Sequence, residues 1–139
     1  MSNLWYNKIV KCINCKKVLK IRSQKKYCSN QCQIDYQHKI YINLWKKGKS
    51  NSIIMISTKN ISKYIKKYFI EKYGESCMLC GWNKRNLTTG KVPLEIDHAD
   101  GNSENNLENN LRLICPNCHA LTHNFKNLNK GKGRSWRKK

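Results

Sequence analysis

The chain has 139 residues, which is room for one ordinary domain or for two very small ones. No apolar run is long enough for a signal peptide or a membrane span, which argues against secreted and membrane proteins and predicts a cytoplasmic one. The 28 Lys and Arg residues against 8 Asp and Glu give a formal net charge of +20. This charge points to a polyanionic partner, most commonly nucleic acid, although a Lys-rich proteome with solvated surfaces would give a similar balance.

All eight cysteines fall into four short pairs, and none is left over. Because the predicted compartment is reducing, metal binding is favoured over disulfides. Four thiolates suit one tetrahedral Zn(II), so the sequence predicts two structural zinc sites. The first site would use Cys12, Cys15, Cys28 and Cys32, and the second Cys77, Cys80, Cys115 and Cys118.

Residues 12–32 read C-x2-C-x12-C-x3-C, which is typical of a small zinc-ribbon-like module whose folding energy comes largely from the metal. Such modules bind nucleic acid, bind protein or cap a domain, and the spacing does not choose among these roles. Lysines crowd the loop between the two cysteine pairs. They favour phosphate contact, with a solvated face as the alternative.

The pattern becomes helical after this module. Ser29 is a suitable N-cap and Gly48 a suitable stop. Between them a stripe recurs every three to four residues, at Ile34, His38, Tyr41 and Trp45. His38 has no companion at metal-ligand spacing, so we expect a packing or surface role for it.

A second helix is predicted to begin near Asn60 and to end at Gly74. Its stripe follows helical spacing, at Ile61, Tyr64, Ile65, Tyr68 and Phe69. Such a stripe could be a base-stacking platform, but at this spacing a core role is the favoured interpretation.

The segment between the halves of the second cysteine set carries the polar groups that suggest chemistry. Residues 92–98 are predicted to form a strand, residues 99–109 a polar loop and residues 111–115 a second strand. Pro116 suits the first turn of a final helix. His119 and His123, four residues apart on that helix, would share one face.

Asp97 ends the first strand and can meet these two imidazoles, so Asp97, His119 and His123 are the predicted ligands of a catalytic Mg(II) or another divalent ion. Adjacent strand residues point to opposite sides, so His98 needs a different role. An unligated imidazole titrates near neutral pH and suits a general base that deprotonates water. Asn110, at the end of the loop, can pin the loop backbone and hold His98 at its angle.

The stretches CMLCGW, TGKVPLEIDHADGN and NNLRLICPNCHALT resemble the HNH endonuclease family in its phage-encoded form with a four-cysteine zinc. The resemblance is specific over residues 77–123, and the N-terminal cysteine pairs are also similar to phage HNH proteins of this size. The family's first His corresponds to His98, its Asn to Asn110 and its final His to His119. His123 fits a second metal-binding His that follows one helical turn later in nuclease colicins.

The resemblance implies a small α+β fold with a ββα-metal nuclease domain, cleavage of double-stranded DNA with a divalent metal, and docking of the motif in the minor groove. The sequence departs from the family pattern at two positions. Position 97 is often His in such phage proteins, and position 123 is often Asp or another polar residue. Both alternatives can bind metal.

The predicted organisation is a zinc-ribbon-like module with its helix at residues 1–48, a linker at 49–58, the HNH nuclease domain at 59–125 and a basic tail at 126–139. The tail has too little apolar content to pack, so we expect it to be disordered when free of DNA. The cations predicted to follow DNA phosphates are Lys126, Lys130, Lys132, Arg134 and Arg137.

The predicted function is a metal-dependent DNA endonuclease in which His98 activates water for in-line attack on a phosphodiester. A monomer would nick one strand, and a homodimer would break both. The alternative is a non-catalytic double-zinc nucleic-acid-binding protein on the same scaffold, and the retention of every catalytic-type residue argues against it. An RNA-directed nuclease is less favoured, because no RNA-reading aromatic motif is visible.

Overall fold

The computed structural model describes residues 9–20, 25–48 and 61–129 of the chain. Two helices, a two-stranded antiparallel sheet and a short third helix make a small α+β fold, as the sequence predicted. The predicted linker at 49–58 and tail residues 130–139 lie outside this part of the chain. In the part described, no helix combines the length and the apolar character needed to cross a membrane.

The N-terminal module is built on a tight turn. The backbone N–H of Lys16 donates to the carbonyl oxygen of Cys12 at 2.9 Å, and Lys16 adopts a left-handed φ of 64°. An isolated β-bridge joins Lys11 and Val18, so the segments flanking the turn form a minimal hairpin. The turn contains the first cysteine pair, Cys12 and Cys15.

Helix α1 spans Asn30–Lys46. Ser29 caps it, because its side chain accepts a hydrogen bond from the backbone N–H of Cys32 at 3.2 Å, which confirms the predicted start. Gly48 follows the last turn with a φ of 67°, a backbone conformation that suits glycine.

Helix α1 buries a face made of His38, Tyr41, Ile42 and Trp45, whereas Ile34 is exposed. His38 has the packing role expected for it. Its Nε2 lies 3.1 Å from the backbone carbonyl oxygen of Tyr64, to which it donates, and its ring packs beside the Tyr64 ring.

Helix α2 spans Lys63–Tyr73, slightly later than predicted, because the side chain of Ser62 accepts from the N–H of Tyr64 and caps the helix there. Gly74 ends the helix with a φ of 85°, as expected. The stripe along this helix faces the core, with Ile65 and Phe69 buried, so it is not an exposed stacking platform.

Strands β1 (Glu95–His98) and β2 (Leu111–Ile114) form an antiparallel hairpin in which Asp97 lies opposite Arg112. Strand β1 begins three residues later than the sequence suggested. The N–H of Leu94 donates a hydrogen bond to the carbonyl oxygen of Val92 at 2.8 Å. This tight turn takes the place of hydrogen bonds to the neighbouring strand before residue 95.

One apolar cluster joins the two long helices to the hairpin. Helix α1, assigned by the sequence to the N-terminal module, therefore contributes to the same core as the hairpin. The large buried residues are Tyr41, Ile42 and Trp45 from α1, Ile65 and Phe69 from α2, and Val92, Leu94, Leu111, Leu113 and Ile114 from the hairpin region.

Helix α3 spans Pro116–Ala120, with Pro116 at its start as predicted. The prediction that His119 and His123 share a face of this helix is wrong, because the helix ends before His123. Both the N–H and the hydroxyl of Thr122 bond to the carbonyl oxygen of His119, at 3.1 and 2.8 Å. This local bonding turns the chain, and His123 lies exposed in the turn that follows.

Candidate metal centres and active site

The first cysteine set converges on one point, with the sulfur atoms of its members all within 4.8 Å of one another. The sulfur of Cys28 lies 3.5 Å from that of Cys15 and 3.4 Å from that of Cys32. These separations are far longer than an S–S bond, and they approach the roughly 3.8 Å between thiolates bound to one tetrahedral Zn(II). Cys12, Cys15, Cys28 and Cys32 could therefore hold a zinc ion.

The second cysteine set meets the same test, with the Cys80 and Cys115 sulfurs 3.8 Å apart. Its first pair lies in a turn in which the N–H of Gly81 bonds to the carbonyl oxygen of Cys77 at 2.8 Å, the same bond that Lys16 makes in the first module. The sulfur of Cys115 also caps helix α3. Cys77, Cys80, Cys115 and Cys118 could therefore hold a zinc ion that ties the turn before the hairpin to the helix after it.

The surroundings of the sulfurs favour the thiolate at one position of each set. Hydrogen bonding from the backbone of Cys15 lowers the pKa of Cys12 to about 6. Burial raises the pKa of Cys77, but backbone N–H groups directed at its sulfur outweigh this and bring it to about 6. Hydrogen bonds between sulfurs raise the pKa of Cys28 and of Cys118 to about 12. Since zinc binds thiolates, the turn backbones already favour the metal-binding form.

Asp97 is buried on β1, and its two carboxylate oxygens face different partners. Oδ2 accepts a hydrogen bond from Nε of Arg112 at 2.7 Å, directly across the hairpin. Oδ1 lies 3.8 Å from Nε2 of His119. The Arg112 pair balances the buried charge, and the second oxygen remains directed at the imidazole.

His119 is oriented by Glu95, which precedes Asp97 by two residues on β1. Nδ1 of His119 lies 2.6 Å from Oε2 of Glu95. When that nitrogen carries the proton and donates it to the carboxylate, Nε2 keeps its lone pair toward Asp97. Asp97 Oδ1 and His119 Nε2 thus present one carboxylate oxygen and one imidazole nitrogen to the same point, a donor pair that suits a divalent cation.

This pair is smaller than the predicted ligand set. Among the residues described, the groups of three or more potential ligands within 4.8 Å are the two cysteine sets. His123 lies exposed in the turn beyond helix α3, so its role as a metal ligand stays a prediction. Two protein ligands would leave several positions of a cation open to water or substrate.

His98 contacts the loop between the strands through its ring. Its Nε2 lies 2.9 Å from Oδ1 of Asn106. An amide oxygen can only accept, so Nε2 carries a proton and donates it to Asn106, and when the ring is neutral its lone pair lies on Nδ1. The backbone carbonyl oxygen of His98 accepts from Nδ2 of Asn124 at 3.0 Å, which ties the strand end to the segment after helix α3.

Asn110 is buried and bonds the loop to itself. Its Nδ2 donates to Oδ1 of Asp100 and to the carbonyl oxygen of Asn105, at 2.9 and 2.8 Å, and its Oδ1 accepts from the N–H of Asp100. Burial raises the pKa of Asp100, but hydrogen bonds from Asn105, Asn102 and Asn110 outweigh this and hold the pKa below its ordinary value. Asn110 therefore pins the loop as predicted, whereas the amide in contact with the His98 ring belongs to Asn106.

The segment after helix α3 contacts the His119 ring. The Phe125 ring lies edge-on to the His119 ring, with centroids 5.2 Å apart, and the Lys126 ammonium lies 4.9 Å from the centre of the Phe125 ring. Lys126 is therefore connected to His119 through the Phe125 ring that both contact. The other predicted phosphate-binding cations, Lys130, Lys132, Arg134 and Arg137, lie outside the described residues.

Sequence reasoning missed Glu95, Arg112 and Asn106. Glu95 could have been found by strand alternation, because residues two apart on a strand share a side of the sheet. Predicting the role of Arg112 would have required the register of the hairpin. Predicting the role of Asn106 would have required the path of a loop that contains several other Asn residues. Neither the register nor the path can be predicted from the local sequence.

Comparison with known proteins agrees with this geometry. Residues 77–125 match the model of the HNH endonuclease family. A relative, the H-N-H endonuclease F-TflIV of Escherichia phage T5, is 50% identical over 56 residues, which cover 39% of this chain. The chain spans only about 22% of the length of that relative. No solved structure gives a significant match.

The family match covers the second cysteine set, both strands, the loop and helix α3, and it confirms the resemblance read from the sequence. Residues 77–125 of this chain are therefore similar to an HNH endonuclease domain.

Proposed function

We propose that the chain is a DNA endonuclease that hydrolyses phosphodiester bonds, with His98 as its general base and a divalent cation held by Asp97 and His119. The observation that carries the proposal is the convergence of Asp97 Oδ1 and His119 Nε2, which lie 3.8 Å apart. The second carboxylate oxygen of Asp97 is held by Arg112, and the second ring nitrogen of His119 is held by Glu95. A site whose two donors are both oriented in this way is preorganised for a cation.

His98 would act beside this pair. Its Nδ1 lone pair takes a proton from a water molecule, the water oxygen bonds to phosphorus, and the bond from phosphorus to the 3′ oxygen breaks. The leaving oxygen is protonated by solvent, which gives a 5′-phosphate and a 3′-hydroxyl. When bound, the divalent cation supplies electrostatic stabilisation of the charge on the phosphoryl group and the departing oxygen.

The remaining groups hold this arrangement in place. Asn110 fixes the loop that follows His98, and we propose that each cysteine set binds one structural Zn(II). Double-stranded DNA is the proposed substrate, attracted by the net charge of +20 and held by Lys126 and the basic tail. One such site hydrolyses one bond, so a monomer would nick, and breaking both strands would need a second copy of the chain.

The deciding experiment is relaxation of a supercoiled plasmid by zinc-loaded protein with Mg(II) or Mn(II), comparing the wild type with His98→Ala. Nicking by the wild type that needs the added metal and is lost in the variant supports the proposal. Equal nicking by both proteins would exclude His98 as the base. Binding of duplex DNA without cleavage, across several metals and DNAs, would instead support the non-catalytic double-zinc protein.

A further inference from the structure

We propose that Trp45, on the N-terminal helix α1, is a positioning residue for His98. The inference rests on the proposed function, in which His98 is the base. Trp45 lies 61 residues from the loop residue that it contacts and outside the segment that matches the HNH family. It acts through Asn106, and it touches neither substrate nor metal in this role.

The first step is the contact between the helix and the loop. The indole Nε1–H of Trp45 donates to the backbone carbonyl oxygen of Asn106 at 2.7 Å. The ring itself is held in the core, 7% exposed, and packs edge-on against Tyr68 with centroids 5.7 Å apart. A buried ring has little freedom, so it fixes the position of the carbonyl that it binds.

The second step is the contact between the loop and the base. The same residue, Asn106, accepts from Nε2–H of His98 through its side-chain oxygen at 2.9 Å. Trp45 and His98 are therefore joined through one residue, the first by its backbone and the second by its side chain. This connection favours the tautomer in which Nδ1 of His98 holds the lone pair that accepts the proton.

The same loop is bonded to helix α2 at a different residue, which provides a matched control. The Tyr68 hydroxyl donates to Oε1 of Glu108 at 2.8 Å. Glu108 also pairs with Lys72 of α2 and Lys46 of α1, so it stays paired with both helices when the Tyr68 hydroxyl is removed. Tyr68→Phe and Trp45→Phe each remove one hydrogen bond to the loop and leave an aromatic side chain in place, but only Trp45→Phe removes a bond to Asn106.

The primary readout is the tautomer of the His98 ring, measured by ring ¹⁵N NMR on zinc-loaded protein without Mg(II) or DNA, at a pH where the ring is neutral. We expect the Nε2–H form to dominate in the wild type, in Tyr68→Phe and in Asn106→Asp, which keeps the acceptor. We expect the Nδ1–H fraction to rise in Trp45→Phe and to rise further in Asn106→Leu. A wild-type ring in the Nδ1–H form would overturn the inference whether or not any variant folds.

The second readout is cleavage. Loss of one hydrogen bond that orients the base should lower kcat about tenfold in Trp45→Phe and leave KM for DNA nearly unchanged. Trp45→Phe that matches the wild type in both tautomer and kcat would overturn the inference, as would Tyr68→Phe that perturbs both as strongly as Trp45→Phe. A wild type that does not cleave would contradict the proposed function, and the tautomer measurement would still decide this inference.

Discussion

Glu95 and His119 are joined by a contact of 2.6 Å between a carboxylate oxygen and the imidazole nitrogen that does not face Asp97. The strand holds Glu95 and Asp97 on one side, and helix α3 carries His119 toward both. The two acids therefore serve one histidine in different ways. Glu95 sets the orientation and tautomer of the ring, and Asp97 shares the cation that the ring would bind.

Glu95→Gln should weaken binding of the proposed cation by about tenfold to a hundredfold, because the carboxylate that orients the proposed ligand His119 is then replaced by a neutral amide. Titration of Mn(II) into zinc-loaded protein, followed by calorimetry, measures this. Glu71→Gln is the matched control, since Glu71 is exposed and pairs with Lys67 and His38 far from this site along the chain. Equal Mn(II) affinity in the wild type and Glu95→Gln would mean that the Glu95 carboxylate does not strengthen metal binding by His119.

His119→Ala and His123→Ala should differ in their effect on the same titration. His119 faces Asp97, whereas His123 lies in the exposed turn after helix α3. We expect His119→Ala to abolish measurable Mn(II) binding at the Asp97 site and His123→Ala to weaken it much less. Comparable losses in the two variants would restore His123 to the ligand set.

Glu108→Gln should lower the free energy of unfolding at neutral pH by about 1 kcal/mol, a typical value for a partly exposed ion pair. Burial raises the pKa of Glu108, but hydrogen bonds from Lys72 and Tyr68 outweigh this and hold the pKa below its ordinary value of 4.5. Because the folded-state pKa is depressed, this stabilisation is complete above the unfolded-state pKa and is lost as the pH falls through the folded-state value.

The measurement for Glu108 is urea unfolding of the wild type and Glu108→Gln at pH 7 and at successive lower pH values. The difference between the two proteins should shrink below about pH 4. Both proteins carry the same cysteine sets, so acid-driven release of zinc is common to both and cancels in the difference. A difference that stays constant with pH would show that the charge of Glu108 does not stabilise the fold.

Substitutions at the matching positions of the two cysteine turns, Gly81 and Lys16, should change the stability by different amounts. Gly81 has a φ of 74°, and no atom lies within 4 Å of an added Cβ, so Gly81→Ala should cost about 1 kcal/mol through backbone strain alone. Lys16 occupies the matching position with a φ of 64°. Lys16→Gly should change the stability by less than about 0.5 kcal/mol, because relief of strain is offset by the larger unfolded-state entropy of glycine. Thermal unfolding of zinc-loaded variants tests both.

Affinity for duplex DNA should fall steeply with salt, because cations that neutralise phosphates release counterions. A variant with Lys130, Lys132, Arg134 and Arg137 changed to Ala should show a shallower dependence, by about 0.9 in the logarithmic slope for each phosphate that the variant no longer neutralises. Fluorescence anisotropy over a salt series provides the slopes. Equal slopes for the variant and the wild type would exclude the tail as a phosphate-binding segment.

Local signals in the sequence predicted the features that depend on a few neighbouring residues. Ser29 starts helix α1, Gly74 ends α2 and Pro116 opens α3, because capping and backbone preferences act within one turn. The early end of α3 escaped prediction, since the hydroxyl of Thr122 competes for the carbonyl oxygen of His119.

Contacts that depend on tertiary structure could not be predicted in this way. Trp45 was recognised as part of a helical stripe, but its bond to Asn106 depends on how α1 packs against a loop far along the chain. Arg112 meets Asp97 only because the hairpin register places them opposite each other. The family resemblance identified the residues of the motif. The supporting residues Trp45, Asn106 and Arg112 are not among the correspondences that it implied.

One core joins helices α1 and α2 to the hairpin. The folding unit is therefore larger than the segment that matches the HNH family, residues 77–125. A fragment beginning at Cys77 would keep every residue of the family motif and lose Tyr41, Trp45, Ile65 and Phe69 from beneath it. The hairpin would then expose apolar side chains that are buried in the intact chain. Boundaries drawn from the motif alone would therefore yield an incomplete folding unit, and a fragment for expression or grafting should begin no later than helix α1.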